Sequence, residues 1–320
     1  MSQSELGFYP QGEIMTTTRI APPIETQSVI GLPVTALPFD EYVEHIIHWA
    51  YLRLSKVVCV ANVHMLTEAR ADSRLTTVLH QADLVTPDGM PLVWMLKLLR
   101  GKPQDRAAGM DLLISICREA EQARIPVFFV GSEQVVLDRM RSRLSRDFPS
   151  LIIGGMESLP FGELPLPPDE ERPVIEKIKE TRSGVVFVSL GCPKQEKWMA
   201  DHRGEIAAVM VGIGGVFPIY AGILSHAPRF MREAGLEWLY RLIQEPGRLW
   251  IRYARTIPPF VWMAAEQILT SRSGRPARGS RPRTQTVPLI GPDFLTHRAN
   301  DRVNDRVDEG SDKLTSADRN

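Results

Sequence analysis

The chain has 320 residues, 43% of them hydrophobic, which is enough for one large α/β domain or two modest ones with a real core. Its 38 basic and 38 acidic side chains balance, so no global field attracts nucleic acid or an anionic surface, and any polyanion site has to be local. The three cysteines are far apart and form no C-x-x-C pair. This pattern is typical of thiols in a reducing, cytoplasmic compartment rather than of a disulfide framework.

Apolar, strand-like runs alternate with amphipathic, helix-like ones from about residue 28. The residues before them, 1–27, show no signal-peptide pattern and are expected to form a flexible leader. Helices are predicted over 41–53, 65–82, 90–101, 109–123 and 132–148, the last with Ser132 as its N-cap. Strands are predicted over 56–61, 83–87, 126–131, 151–155, 184–191 and 207–215. Continuous Val- and Ile-rich strands separated by helices predict a doubly wound, Rossmann-like α/β fold, with a mostly parallel sheet and helices on both faces.

Two regions depart from this alternation. Residues 156–172 are rich in proline and acidic side chains and predict a surface loop. After the α/β domain, placed at 28–235, the strands stop and residues 236–270 predict a helical appendage. Its longest apolar stretch, 256–270, contains two prolines and a glutamate and is shorter than the roughly 20 residues of a membrane-spanning helix, so it could lie on a bilayer but not cross one. The polar segment 271–320 is expected to be a disordered tail.

Glycines and polar residues follow five of the predicted strands at their carboxyl ends, the edge where open α/β sheets bind ligands. Glycines at such positions let backbone N–H groups approach a ligand closely. The sequence therefore predicts one pocket surrounded by these strand ends. Its candidate residues are Asn62, Asp88, Gly89, Gly131, Gly191, Lys194, Gln195, Glu196, Gly212, Gly214 and Gly215.

The segment CPKQE places a cation, an amide and a carboxylate directly after a strand. Pro193 suits the first turn of a helix, and a helix N-terminus next to Lys194 suits a phosphate or pyrophosphate. Gln195 can hydrogen-bond an amide, a sugar hydroxyl or a base edge, and Glu196 can accept from a ribose or sugar diol. The alternative is that all three polar side chains only decorate a solvated first turn, where the helix dipole favours glutamate.

Asp88 is a candidate catalytic residue because of its place at a strand end, although Asp-Gly in TPDGM is also ordinary turn chemistry. His64, at a helix start, fits a structural role better than a catalytic one. The chain has no D-x-D pair, no P-loop motif and no His/Cys cluster with metal-ligand spacing, and GIGGVF lacks the last glycine of the dinucleotide fingerprint. P-loop, NAD and zinc chemistry are therefore disfavoured, and no metal or other cofactor is predicted.

Several motifs occur together in a characteristic order. They are ANVHMLTEARADSRLTTVLHQADLVTPDGMPLVW, PVFFVGSEQVV, LGCPKQEKWM, VGIGGVFPIYAG and HAPRFMREAGLEWLYRLIQEPGRLWIRY. Over about residues 28–262 the chain resembles the WecG/TagA/CpsF family of bacterial glycosyltransferases. The combination of PKQE, AP and GLEWLYRL…EPGR is specific to that resemblance.

The resemblance implies an inverting, metal-independent transferase. Such enzymes move a sugar, often N-acetylmannosamine, from a UDP donor to a sugar on an undecaprenyl-diphosphate carrier in the synthesis of cell-surface polysaccharide or teichoic acid. It implies a catalytic base at Asp88 and a donor-site glutamine at Gln195. The family's C-terminal appendage, which the resemblance implicates in membrane attachment and in completing the site with arginines, falls on about 236–262. The implied partners are the UDP-sugar, the polyprenyl-diphosphate-linked acceptor and the inner face of the cytoplasmic membrane, with a homo-oligomer possible and no nucleic acid.

The appendage carries a basic face that suits a substrate diphosphate or an anionic membrane. Arg248, Arg252 and Arg255 are spaced to lie on one face of a helix predicted after Pro246-Gly247. Aromatic side chains of the kind that settle at a membrane interface accompany them: Trp250, Tyr253, Phe260 and Trp262. The alternative is an ordinary docking helix with a solvated basic face.

Two departures from the family pattern leave the identity of the transferred sugar undetermined. Val60 stands where the family often has threonine, and Pro218 stands where it often has an acid. The alternatives are a UDP-glucose-type hexosyltransferase of exopolysaccharide synthesis, a catalytically idle nucleotide-sugar-binding protein and a structural membrane-recruitment module. Retention of the other pocket residues argues against the last.

Overall fold

The computed structural model describes residues 24–159, 162 and 164–272, without the side chains of residues 248 and 272. Most of the expected leader and tail, and the side chain of Arg248, therefore lie outside the described residues. The described residues belong to one compact unit.

A hairpin of two short antiparallel strands opens the described chain, β1 (Thr26–Val29) and β2 (Leu32–Thr35). Ile30 and Gly31 form its turn, and both have positive φ, the geometry that matches the twist of a two-residue hairpin. This hairpin is not predicted from the sequence, since strands of four residues are too short to show a clear alternation.

Six further strands form a parallel sheet. They are β3 (Lys56–Ala61), β4 (Leu84–Pro87), β5 (Val127–Gly131), β6 (Ile153–Glu157), β7 (Val185–Ser189) and β8 (Val209–Gly212). Their order in the sheet is β4-β3-β8-β7-β5-β6, with every neighbouring pair parallel. The four central strands are almost wholly buried, as both faces of a parallel sheet usually are. The predicted Rossmann-like sheet is confirmed, and β3 has the predicted bounds.

Helices surround the sheet. They are α1 (Phe39–Tyr51), α2 (Val63–Ala71), α3 (Ser73–Gln81), α4 (Met90–Arg100), α5 (Gly109–Gln122), α6 (Gln134–Asp147), α7 (Pro168–Glu180), α8 (Lys194–Asp201), α9 (Val216–Tyr220), α10 (Arg229–Glu233), α11 (Glu237–Gln244) and α12 (Pro246–Arg272). The predicted helix 65–82 is two helices, α2 and α3. Asp72 separates them, because its backbone is extended and its carboxylate caps α3 by accepting from Leu75 N (3.0 Å).

Other predicted boundaries also differ from the structure, among them the start of α6 and the ends of the loop before α7. Helix α6 has Glu133 as its N-cap, and Ser132 instead adopts a positive φ of 70° just before it. The predicted loop 156–172 is shorter, since β6 runs to Glu157 and α7 begins at Pro168. A proline in the first turn followed by three acidic residues favours a helix N-terminus, which the composition of this segment concealed.

Helix α12 packs on α2 and α4. Phe260 and Ala264 are buried in the hydrophobic core. Gln267 joins the helix to the β1–β2 hairpin, since its Oε1 accepts from Ile30 N and its Nε2 donates to Ser28 O, both at 2.7 Å. Phe260, expected at a membrane interface, is therefore a core residue, and α12 is part of the folded body.

Other aromatic side chains of α12 do face outward. Trp250 is 65% exposed and Trp262 is 75% exposed. None of the helices in the described part of the chain combines the length and the apolar character that a membrane crossing needs.

Candidate active site

A pocket lies at the carboxyl ends of β3, β4 and β8 and beside the loop that follows β7, with α11 and α12 contributing to its wall. Neighbouring parallel strands end at the same edge of the sheet, which brings together residues far apart in the chain. The predicted site residues that line it are Asn62, Asp88, Gly191, Gln195, Gly212, Gly214, Gly215 and Arg252.

Other predicted site residues do not line this pocket. They are Gly89, Gly131, Lys194, Glu196 and Arg255. Gly131 ends β5, which lies on the far side of β7 from the pocket. A Cβ atom at this position would lie 2.6 Å from the Ser189 carbonyl oxygen, so glycine is needed here for the close packing of the two strands. Gly89 is the N-cap of α4, and the Arg255 side chain is exposed. Four of the five predicted strand ends therefore meet at the pocket, and the end of β5 does not.

Asp88 follows β4 directly, and its backbone N–H donates to the last carbonyl of β3 (2.9 Å). Its Oδ1 accepts from Gly109 N at the start of α5 (3.3 Å). Burial raises the pKa of Asp88 to about 7, and the nearby Glu237 carboxylate also raises it, whereas Arg106 lowers it. Because the carboxylate titrates near neutral pH, it can exchange a proton with a ligand.

Two arginines lie close to this carboxylate. Arg106 donates from Nη1 to Glu237 Oε2 (2.9 Å), and its Nη2 lies 3.5 Å from Asp111 Oδ2. Arg241 reaches over the glycine loop after β8, since a Cβ atom on Gly215 would lie 2.8 Å from Arg241 Nη2. The pocket therefore holds fixed positive charge from two separate elements, as an anionic ligand requires.

Gln195 and Glu196 form a buried pair at the start of α8. Gln195 Oε1 accepts from Gly191 N (3.2 Å), and its Nε2 donates to Glu196 Oε1 (2.7 Å). Glu196 is fully buried, and burial raises its pKa to about 7 against the hydrogen bond from Gln195. The alternative that these two side chains only decorate a solvated first turn is therefore wrong. Contrary to expectation, Glu196 does not reach the pocket but holds the amide of Gln195, which does.

The start of α2 supplies another wall of the pocket. Asn62 caps this helix by accepting from Met65 N through its Oδ1 (3.1 Å). His64 also lines the pocket, although the sequence favoured a structural role for it. Burial, helped by the charge of Arg252, lowers the pKa of His64 to about 4, so the ring is neutral at pH 7. Arg252 is thus placed near the start of α2 as well as on the pocket wall.

The family model of the Glycosyl transferase WecG/TagA/CpsF family matches residues 27–274. The chain belongs to the WecG/TagA/CpsF family. The match covers the parallel sheet, the pocket and α12, so the family segment and the described fold largely coincide.

Two curated relatives of this WecG/TagA/CpsF protein carry the same name, N-acetylglucosaminyldiphosphoundecaprenol N-acetyl-beta-D-mannosaminyltransferase. The protein from Bacillus spizizenii strain W23 is 35% identical over 242 residues, covering 74% of this chain and 90% of the relative. The protein from Bacillus subtilis strain 168 is 27% identical over 227 residues, covering 70% of this chain and 86% of the relative.

Several pocket residues of this WecG/TagA/CpsF protein were not predicted from the sequence as site residues. They include Arg106, Met110, His226, Glu237 and Arg241. Glu237 and Arg241 lie in the GLEWLYRL motif, which could have identified them had the appendage not been assigned mainly to membrane contact. Arg106 lies in an irregular loop, and its position relative to the predicted strands and motifs does not mark it as a site residue.

Proposed function

We propose that the protein is an inverting, metal-independent glycosyltransferase. It moves N-acetylmannosamine from a UDP donor to an undecaprenyl-diphosphate-linked sugar at the inner face of the cytoplasmic membrane. The observation that carries the proposal is Asp88, a carboxylate of raised pKa set beside Arg106 and Arg241 at the pocket edge of the sheet. Family membership and the names of the two Bacillus relatives support the reaction class and the sugar.

Asp88 is the base in this proposal. In a single displacement the acceptor hydroxyl attacks the anomeric carbon, loses its proton to Asp88 and expels UDP from the opposite face, which inverts the anomeric configuration. A base works best when its pKa lies near the working pH, because it is then both ionised and able to hold the proton. The pKa of about 7 meets that condition.

Positive charge and directed donors stabilise the leaving diphosphate in this proposal. Arg241 and Arg252 reach the pocket from α11 and α12. Fixed donors aimed at developing negative charge need no reorganisation during the reaction. Gln195 contacts the donor with an amide already oriented by Gly191 and Glu196, which limits the ways it can turn.

The division into a catalytic domain up to residue 235 and an appendage over 236–270 stays a proposal, with both expected roles for the appendage. Residues 236–270 supply Glu237, Arg241 and Arg252 to the pocket as well as packing Phe260 into the core. The segment therefore completes the site in addition to carrying the surface proposed to face the membrane. That surface includes the exposed side chains of Trp250, Ile251, Arg255, Val261, Trp262 and Leu269.

Transfer itself is the direct test of this function. UDP-N-acetylmannosamine mixed with a short-chain, diphosphate-linked N-acetylglucosamine acceptor should release UDP and give a disaccharide product, measured by coupled UDP detection and mass spectrometry. UDP-glucose is the matched alternative donor, and faster turnover with it would favour the exopolysaccharide alternative. Stabilisation by UDP-sugars without product would indicate an idle binding protein.

Chelation should leave this turnover unchanged. The chain contains no D-x-D pair, and within the described residues no group of three or more His, Cys, Asp or Glu side chains is placed to hold a metal. Arginines and backbone N–H groups are expected to stabilise the diphosphate instead. The measurement is UDP release with and without EDTA, beside a Mg²⁺-dependent transferase as control. Loss of activity that Mg²⁺ or Mn²⁺ restores would contradict the expectation.

A further inference from the structure

Glu237 is a second carboxylate that lines the pocket. It begins α11, outside the α/β body, and its Oε2 accepts from Arg106 Nη1 (2.9 Å). The Arg106 side chain is only 16% exposed. The Glu237 side chain is 32% exposed, so solvent partly screens this ion pair.

Charged groups reach Asp88 from several elements. Glu237 and Arg241 come from α11, Arg106 from the loop before α5, and the N–H of Gly109 from the start of α5 itself. Further charged or titratable residues line the same pocket: His64 on α2, His226 before α10 and Arg252 on α12. Of the two arginines that lower the pKa of Asp88, Arg106 has the larger effect and Arg241 the smaller.

If Arg106 paired only with Asp88, Asp88 would be a weaker base. A neighbouring opposite charge stabilises the ionised carboxylate and lowers its pKa. Here the two ends of the Arg106 guanidinium face other carboxylates, with Nη1 on Glu237 and Nη2 towards Asp111 at 3.5 Å. The positive charge stays near the pocket while the hydrogen bond from Nη1 goes to Glu237.

We propose that Glu237 is a positioning residue that holds Arg106 away from a direct pairing with Asp88 and so keeps Asp88 basic enough to take the acceptor proton. This inference rests on the proposed function of Asp88. The raised pKa of Asp88, to which Glu237 contributes after burial, agrees with it. Because Glu237 belongs to α11, the basicity of Asp88 depends on how residues 236–270 pack against the α/β domain.

The test compares Glu237→Gln with Asp111→Asn. Both remove a negative partner of Arg106 with little change in shape, but Asp111 does not line the pocket. The titration of Asp88 is followed by carbon-13 NMR of labelled aspartate carboxyls, with Asp88→Asn identifying its signal. The pH dependence of kcat/KM on the soluble acceptor is measured in parallel.

In Glu237→Gln the Asp88 midpoint should move to lower pH by about one unit, the usual size for a change in a neighbouring charge. The acid limb of kcat/KM should move with it. Asp111→Asn removes only the 3.5 Å contact of Arg106 and keeps its hydrogen bond to Glu237, so it should move both by less. Glu237→Asp, which keeps the charge, should restore most of the midpoint and provides a second variant if the first unfolds.

An Asp88 midpoint that stays or rises in a folded Glu237→Gln protein would overturn the inference. A midpoint that falls while the acid limb does not move would instead overturn Asp88 as the base. The electrostatic effect of Glu237 would then stand, so the two failures are distinguishable.

Discussion

Replacing Asp88 with asparagine should reduce kcat by about 100-fold or more, the range lost when a general base is removed. Asparagine keeps the shape and the acceptor for Gly109 N but cannot take a proton at neutral pH. Binding of the UDP-sugar should remain largely intact, because the proposed diphosphate contacts come from Arg241 and Arg252. UDP release and thermal stabilisation by the donor measure the two effects separately.

Activity within about tenfold of the unmodified protein, or roughly 1.4 kcal/mol in the barrier, would contradict the assignment of Asp88. Asp111→Asn is the matched control, since it removes a nearby carboxylate that does not line the pocket.

The same Asp88→Asn variant has a stability signature that does not depend on activity. A carboxyl whose pKa is raised from 3.8 to about 7 on folding binds its proton more tightly in the native state. The free energy of unfolding therefore falls as pH rises between those values, and the loss is complete above the folded pKa. Asp88→Asn should remove this loss, so its melting temperature should fall less than that of the unmodified protein between pH 5 and 8.

Replacing Arg252 with glutamine should lower turnover on a soluble acceptor by about 100-fold, as expected when a fixed charge is removed from a developing diphosphate. Arg255→Gln is the matched control on the same helix. Arg252 lines the pocket, whereas the exposed Arg255 does not. Arg255→Gln should keep turnover on the soluble acceptor but weaken binding to phosphatidylglycerol-containing vesicles by about 1 kcal/mol, an effect that salt screens.

If both variants lose turnover on the soluble acceptor equally, or if neither loses it, this separation of roles is contradicted. Truncation after Gly235 is a poorer test, because it removes Glu237 and Arg252 from the pocket and Phe260 from the core at once. Loss of activity in that truncated protein would not show whether residues 236–270 attach the enzyme to the membrane or complete the active site.

Much of the α/β body was predictable from the sequence for a local reason. Strands buried on both faces must be continuously apolar, and β3 and β5 stand out as Val- and Phe-rich runs between amphipathic helices. Asp88 and Gln195 were predictable as site residues because polar groups at the ends of such strands meet at one edge of the sheet.

The burial of neighbouring residues was not predictable in the same way. Glu196 follows Gln195 in a first turn that composition predicts to be solvated, and only the packing of α8 against β8, β3 and β7 buries its carboxylate. Phe260 and Trp262 are aromatic residues two positions apart on α12, and the docking of that helix on α2 places the first in the core and the second in solvent.

The fold class, the family and the edge of the sheet that carries the site can all be read from the sequence, because each depends on local patterns that exist without tertiary contacts. The grouping of Arg106, Glu237 and Arg241 around Asp88 is evident only in the folded protein. Arg106 comes from the loop before α5, and Glu237 and Arg241 come from α11, far from Asp88 in the chain. The charge around a partly buried carboxylate depends on distances that no spacing in the sequence encodes.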